Sequence, residues 1–223
     1  RYGLLHMIIY IYGEDTFSSR SYLKLQIERF KKERDPQGMN AVVLDGQKDD
    51  GSRMWNEITA MPFLAEKRLI VIQNILSSKD SDLLDSFKEG VSAQGGPASG
   101  GKKIPEKNVV IFYQSEPIGK SKIAQELHKI LTKEKWAKEF MLLTGAAMTA
   151  WIKNETIARG GIIGQAALIY LSQNVGSDMW YASSLMDQLV AYSNKNEITL
   201  SDAQLFLEEK LDDNIFNMVD AIV

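Results

Sequence analysis

The chain has 223 residues, of which 44% are hydrophobic and 25% charged, and its formal net charge is -3. The length allows one large domain or two small ones. The composition is ordinary for a globular protein, which excludes a disordered chain. The net charge excludes a protein that binds nucleic acid through overall positive charge alone. Cysteine is absent and there are only two histidines, so thiol catalysis, cysteine-ligated metal centres and histidine-rich metal sites are excluded.

The most apolar stretch of the sequence lies near its start, from Leu4 to Tyr12. It is about half as long as the roughly 20 residues of a membrane-spanning helix, and it runs into Gly13 and two acidic residues. We therefore expect a buried strand here and no membrane partner. The lack of cysteine is typical of proteins in a reducing cytoplasm, where we expect this one.

Short apolar runs alternate with helical patterns through the first 143 residues. The runs are rich in β-branched and aromatic residues and predict strands at Met7–Tyr12, Ala41–Asp45, Arg68–Ile72, Val109–Tyr113 and Trp136–Phe140. The patterns between them predict helices at Thr16–Arg34, Ser52–Ala60, Ser78–Lys88 and Lys120–Leu131. Because the strands are apolar on both faces, we predict an α/β fold with a doubly wound parallel sheet.

Apolar spacing and capping residues give finer expectations for two of these helices. The apolar residues of the first helix recur at intervals near three to five, which predicts a buried stripe formed by Phe17, Tyr22, Leu25, Ile27 and Phe30. We expect Thr16 or Ser18 to cap this helix, and Ser78 to cap the helix that it opens.

The segment Ala93–Lys103 interrupts the alternation. It contains four glycines and one proline, a composition that predicts a flexible surface loop. A phosphate-binding glycine loop is the alternative. Such a loop joins a strand to a helix, but no predicted strand leads directly into this segment and no predicted helix follows it.

The second half of the chain is predicted to be helical, with no strand after Thr144. Helical patterns lie at Ala146–Arg159, Ile163–Ser172, Met179–Asn194, Ser201–Leu211 and Asn214–Val223. The charge changes at the same point, because residues 1–143 have a net charge of +3 and residues 144–223 a net charge of -6. This asymmetry favours two domains, an α/β domain at 7–143 and a small helical lid domain at 144–211, with a further helix beginning in 212–223.

The turn after the first strand occupies the position of a phosphate-binding P-loop. With Gly13 as its first glycine, that motif requires glycine, lysine and a hydroxyl residue at positions where the chain has Ser18, Ser19 and Arg20. In a P-loop the second glycine lets the backbone surround the phosphates, the lysine contacts the terminal phosphate and the hydroxyl binds Mg²⁺, and all three are missing here. We expect a degenerate P-loop that binds no nucleotide cofactor.

Two other positions support the same interpretation. The third strand is followed by Gln73 and Asn74, where a hydrolysing P-loop enzyme needs an acidic residue to order Mg²⁺ and water. Gly119-Lys120-Ser121 matches the end of a P-loop, but position 114, where the first glycine belongs, is glutamine. An active ATPase with a divergent nucleotide site, near Gly13 or Gly119, remains the alternative interpretation.

Several segments, in order along the chain, resemble the delta subunit of the bacterial DNA polymerase III clamp loader. They are Ile9–Glu14, Val43–Gly46, Met61–Val71, Asn108–Tyr113, the Trp151-Ile152 pair and Asn214–Ile222. The resemblance implies a degenerate, AAA+-like P-loop domain followed by a helical lid. It also implies a helical collar that joins the loader subunits, of which 212–223 would be the beginning. The glycine-rich segment departs from the family pattern.

The resemblance implies a function without catalysis. Delta subunits bind the ring-shaped sliding clamp and help to hold one interface open for loading onto primer-template DNA, while other subunits hydrolyse ATP. The family's clamp-binding element falls on Met61, Pro62, Phe63 and Leu64, with the last two as an apolar wedge. The implied partners are the clamp, the other loader subunits and DNA in the assembled complex.

The residues of that element allow two interpretations by themselves. Phe63 and Leu64 follow a proline and precede a buried strand, so they belong to a loop. Such a pair either folds back into the core or protrudes as a partner anchor. With the resemblance, we expect them to protrude. A nucleic-acid-binding module that uses the basic first half is a third possible function.

Overall fold

The computed structural model describes residues 7–92, 103–105 and 107–207. The chain divides into two compact units, residues 1–140 and 141–223. The predicted helix at Asn214–Val223 and all but the last residue of the predicted glycine-rich loop lie outside the described residues.

The first unit is built on a five-stranded sheet in which all neighbouring strands are parallel, with the order β2-β3-β4-β1-β5. The strands are β1 (Met7–Tyr12), β2 (Ala41–Asp45), β3 (Arg68–Gln73), β4 (Asn108–Gln114) and β5 (Trp136–Glu139). The helices between them are α1 (Thr16–Arg34), α2 (Gly51–Thr59), α3 (Ser81–Ser92) and α4 (Lys122–Leu131), and a 3₁₀ turn spans Ile75–Ser77. The predicted parallel α/β fold is confirmed.

Each face of the sheet has its own apolar core, because successive side chains of a strand point to opposite faces. On one face Ile8 and Tyr10 of β1 pack with the buried side chains of α2, α3 and α4. On the other face Ile11 packs with Leu23 of α1 and with the alternate residues of β3 and β4. The apolar character of the strands on both faces is thus explained by helices on both sides of the sheet.

The buried face of α1 differs from the expected stripe. Its buried residues are Ser19 and Leu23, while Leu25 is 57% exposed. Residues four apart share a helix face, whereas residues two apart point in nearly opposite directions. The inclusion of Leu25 in the buried stripe was therefore wrong, since it lies away from Leu23.

The cap of α3 also differs from the prediction. The helix begins at Ser81, and the carboxylate of Asp80 accepts a hydrogen bond from the backbone N–H of Leu83 at 3.0 Å. Ser78 instead follows the 3₁₀ turn, and its hydroxyl oxygen accepts the N–H of Asp80 at 3.2 Å. Ser78 does not cap α3, because the 3₁₀ turn ends at this residue and the helix starts three residues later.

The second unit is mainly helical, with α5 (Gly145–Ala158), α6 (Gln165–Asn174), α7 (Met179–Ser193) and a helical segment at 200–207. It also contains a short parallel pair, β6 (Ile162–Ile163) and β7 (Glu197–Ile198). The expectation of no strand after Thr144 was wrong, because a strand of two residues is too short to leave a period in the sequence.

Buried apolar side chains hold the second unit together. They include Met148, Ile152, Leu168, Leu171, Met179, Leu185, Met186, Leu189 and Ile198. In the part of the chain that the structure describes, no helix has the length and apolar character needed to cross a membrane.

Candidate functional site

The glycine of the turn after β1 is required by packing. Gly13 has a φ of +125°, and a Cβ atom added to it would lie 2.2 Å from the carbonyl oxygen of Phe140. The backbone N–H of Asp15 donates to that same oxygen at 3.0 Å, and the N–H of Phe140 donates to the carbonyl oxygen of Tyr12 at 2.7 Å. The turn therefore fits tightly against the segment that follows β5.

Asp15 caps α1. Its carboxylate oxygen Oδ1 accepts the backbone N–H of Ser18 at 2.9 Å, and the residue is buried. The prediction of Thr16 or Ser18 as the cap was wrong, because an aspartate just before a helix brings a carboxylate to the free N–H groups of the first turn. The Asp15 carboxylate is thus already bound to one of the N–H groups that would otherwise be free to bind a phosphate.

The two residues at the lysine and hydroxyl positions of the motif point in different directions. Ser19, at the lysine position, is buried, and its hydroxyl lies 3.5 Å from the hydroxyl of Tyr113 in β4. Arg20, at the hydroxyl position, is exposed. A short, buried serine cannot reach a phosphate as a lysine does. The structure therefore lacks the P-loop lysine contact that the sequence also lacks.

A cavity of about 500 Å³ lies beside this turn, at the carboxyl ends of β1 and β4. Three carboxylates line it, those of Glu14, Glu116 and Glu139. Burial lowers the pKa of His128, another lining residue, and Glu139 opposes this shift. His128 is therefore neutral at neutral pH and does not offset the negative charge. This lining repels the phosphates of a nucleotide.

The remaining nucleotide-type positions have structural roles. The side-chain oxygen of Asn74, after β3, accepts the backbone N–H of Ser115 at 2.9 Å, which ties the ends of β3 and β4 together. The hydroxyl of Ser121 caps α4 by accepting the N–H of Ala124 at 3.2 Å. Gly119 donates its N–H to the carbonyl oxygen of Leu76 at 2.8 Å. Each residue thus has a local partner within the fold.

The predicted wedge lies at the opposite end of the sheet, on the loop between α2 and β3. Met61, Phe63 and Leu64 are 69%, 57% and 91% exposed, and Pro62 is half-buried. Leu64 has a φ of +53°, a left-handed conformation that costs about 1–2 kcal/mol for a residue with a Cβ atom. Met61, Phe63 and Leu64 therefore lie at the surface and are not part of the core, and we call the segment of all four residues the apolar projection.

Two buried polar residues, absent from the sequence-based prediction, hold this loop. The side-chain oxygen of Asn40 accepts the backbone N–H of Phe63 at 2.6 Å, and its side-chain nitrogen donates to the carbonyl oxygen of Phe63 at 2.9 Å. Asp35 in turn accepts the side-chain N–H of Asn40 at 3.0 Å and its backbone N–H at 2.7 Å. Both residues are buried.

The charge of Asp35 is stabilised inside this arrangement. Burial raises the pKa of its carboxyl, but the hydrogen bonds from Asn40 and Met39, with nearby Lys31, outweigh burial and hold the pKa below its usual value. Asp35 is therefore ionised at neutral pH and acts only as an acceptor. That fixes the orientation of the Asn40 amide, with its nitrogen toward Asp35.

Both ends of the loop are also anchored. The side-chain nitrogen of Asn108 donates to the carbonyl oxygens of Ile58 and Ala60, at 2.5 and 3.1 Å, where α2 ends. At the other end, Arg68 forms an ion pair with Glu57. The apolar projection therefore begins and ends at fixed points.

Comparisons with known proteins agree with this fold. A sequence model of the family "DNA polymerase III, delta subunit" matches residues 10–96. The DNA polymerase III subunit delta of Bacillus subtilis (strain 168) is 21% identical over 222 residues, which cover 99% of this chain and 62% of that protein. The resemblance to the delta family is thus confirmed, and the chain spans about three fifths of the length of this relative.

Solved structures show the same fold. The DNA clamp loader delta protein of Bacillus subtilis matches with a TM-score of 0.56 and 19% identity, over 98% of this chain and 63% of that one. The Holliday junction branch migration motor RuvB of Thermotoga maritima matches with a TM-score of 0.57 and 12% identity, over 92% and 62%. Domain III of the Thermotoga maritima replication initiation protein DnaA gives 0.57 and 8%, over 92% and 84%. These likenesses are ones of fold.

Proposed function

We propose that this chain, which resembles clamp-loader delta subunits in sequence and fold, binds a sliding clamp and helps to open the ring for loading onto primed DNA. It does so without hydrolysing ATP. Met61, Pro62, Phe63 and Leu64 form the clamp-binding surface, with Phe63 and Leu64 as the apolar wedge. The observation that carries the proposal is the exposure of these two large side chains on a loop that is anchored at both ends.

The energetics of Leu64 support a role in binding. Glycine would adopt the left-handed conformation of Leu64 at no steric cost. The leucine side chain, at 91% exposure, gains almost no free energy from burial in the free protein. A leucine at this position is both strained and exposed in the free protein, and it becomes favourable once its side chain enters an apolar pocket of a partner. Phe63 beside it provides the second anchor.

The nucleotide-type end of the sheet supports the absence of hydrolysis. Asp15 occupies an N–H group at the start of α1, Ser19 is buried, and acidic residues line the neighbouring cavity. We infer that this unit contributes its shape and its contacts to a loader while other subunits hydrolyse ATP.

The wider context is proposed on the same basis. Residues 7–143 act as the AAA+-like domain, residues 144–211 as the lid, and residues 212–223 as the start of a collar that joins other loader subunits. Primer-template DNA is then a partner of the assembled complex, in the cytoplasm.

The first test is a titration of the chain against the sliding clamp of the same organism, by surface plasmon resonance. We expect saturable binding that changes little with salt, because the proposed contact is apolar. DNA binding that falls steeply with salt, together with no clamp binding, would contradict the proposal and favour the nucleic-acid-binding module.

The second test is a calorimetric titration with Mg·ATP. We expect no binding in the micromolar range, because the residues that would contact the phosphates are missing or already engaged. A micromolar dissociation constant would overturn the view of an inert site and favour the divergent ATPase.

A further inference from the structure

We propose that Asp35 and Asn40 are positioning residues that hold the Phe63–Leu64 wedge in its binding shape before the clamp arrives. The inference rests on the proposed clamp-binding function and adds to it two residues that lie outside the wedge itself. Neither is an exposed contact residue, since both are buried. Their effect on binding would therefore act through the backbone of the loop.

The hydrogen bonds of Asn40 fix one residue of the loop from both sides. Its amide accepts the N–H of Phe63 at 2.6 Å and donates to the C=O of Phe63 at 2.9 Å. This is the pair of bonds that a neighbouring strand would make to the same residue. The loop thus gains the constraint of a strand at a place where the chain forms none.

The constraint falls where the loop most needs it. Pro62, just before Phe63, has a fixed φ, and Leu64, just after it, holds a left-handed conformation that a leucine rarely adopts. Asn40 fixes the residue between them. The backbone conformation of three successive residues is thereby fixed before binding. Binding then loses less conformational entropy, which increases affinity.

Asp35 acts one step further from the loop. Its carboxylate accepts the side-chain N–H of Asn40 at 3.0 Å, its backbone N–H at 2.7 Å and the backbone N–H of Met39 at 3.1 Å. An amide side chain can turn about its last bond and exchange its oxygen for its nitrogen. The fixed acceptor excludes the turned orientation, in which the Asn40 amide would repel both the N–H and the C=O of Phe63.

The test compares Asn40→Ala with wild type by amide hydrogen exchange of Phe63 in the free chain and by affinity for the sliding clamp. We expect the Phe63 amide to lose its protection and the affinity to fall by about 10-fold, as expected when a loop must be ordered on binding. Gln114→Ala is the matched control, since Gln114 is a buried amide that holds Leu76 and Glu116 at the other end of the sheet. It should lower thermal stability yet leave Phe63 protection and clamp affinity unchanged.

Three results would overturn the inference: unchanged Phe63 exchange in Asn40→Ala, unchanged clamp affinity despite lost protection, or equal effects from Gln114→Ala. If Asn40→Ala does not fold, the milder Asp35→Asn variant keeps the shape of the side chain, and unchanged Phe63 exchange in it contradicts the role of Asp35. Failure of wild type to bind the clamp would refute the proposed function alone, because Phe63 exchange judges the positioning without a clamp.

Discussion

Replacing Phe63 and Leu64 together by alanine should abolish clamp binding while the protein stays folded. Each anchor removed from an apolar pocket costs about 2–4 kcal/mol of binding, so the double variant should bind roughly 1000-fold more weakly or worse. Both side chains are more than half exposed in the free chain, so we expect the free energy of unfolding to change by about 0.5 kcal/mol or less. Surface plasmon resonance and urea unfolding measure the two quantities.

Leu25→Ala is the matched control for this variant. Leu25 is as exposed as Phe63, at 57%, but lies on α1. Its truncation should change neither clamp affinity nor stability. A large loss of folding stability in the double variant would identify Phe63 and Leu64 as core residues, and full affinity would remove them from the binding surface.

Gly13→Ala should destabilise the fold by about 2–6 kcal/mol, since backbone strain and overpacking each contribute about 1–3 kcal/mol. The added Cβ would lie 2.2 Å from the carbonyl oxygen of Phe140 and 2.6 Å from its nitrogen. These are backbone atoms, and they are fixed by hydrogen bonds to Tyr12 and Asp15. The turn cannot open without breaking the contact that joins β1 to the end of β5. The midpoint of urea unfolding measures the change.

Gly38→Ala separates the free-energy cost of the left-handed backbone conformation from that of the steric clash at Gly13. Gly38 also has a positive φ, of +70°, but a Cβ there meets no atom within 4 Å, so we expect only the left-handed penalty of about 1–2 kcal/mol. Equal losses in the two variants would mean that Gly13 is required only for its dihedral angle. A negligible loss in Gly13→Ala would instead mean that the turn can shift enough to accommodate a Cβ atom.

The strands of the first unit were predictable from short runs rich in β-branched and aromatic residues, and its helices from the apolar spacing between those runs. The parallel sheet followed from strands that are apolar on both faces. The pair Ile162–Ile163 and Glu197–Ile198 was not predictable, since two residues show no period. Leu25 did not belong to the buried stripe of α1, because it lies only two positions from the buried Leu23 and so points to the opposite side of the helix.

The candidate site was predictable only in part. Family resemblance pointed to residues 61–64, and a proline before two large apolar residues indicated a loop. Nothing in the sequence identified Asp35 and Asn40, because polar residues beside a Pro36-Gln37-Gly38 turn are expected to be exposed. Their burial depends on the approach of a loop about 25 positions later in the chain, a contact that local patterns do not encode.

The parallel arrangement of the sheet has a consequence for how this protein can change. The turn at Gly13 lies at the carboxyl ends of the strands, and the Met61–Leu64 projection lies before β3, at the amino ends. A strand of six residues, such as β1 or β3, separates the two ends by about 20 Å. Substitutions that far apart have nearly additive effects on free energy. Substitutions in the turn at Gly13 should therefore have little effect on the free energy of any contact that a partner makes with the Met61–Leu64 projection.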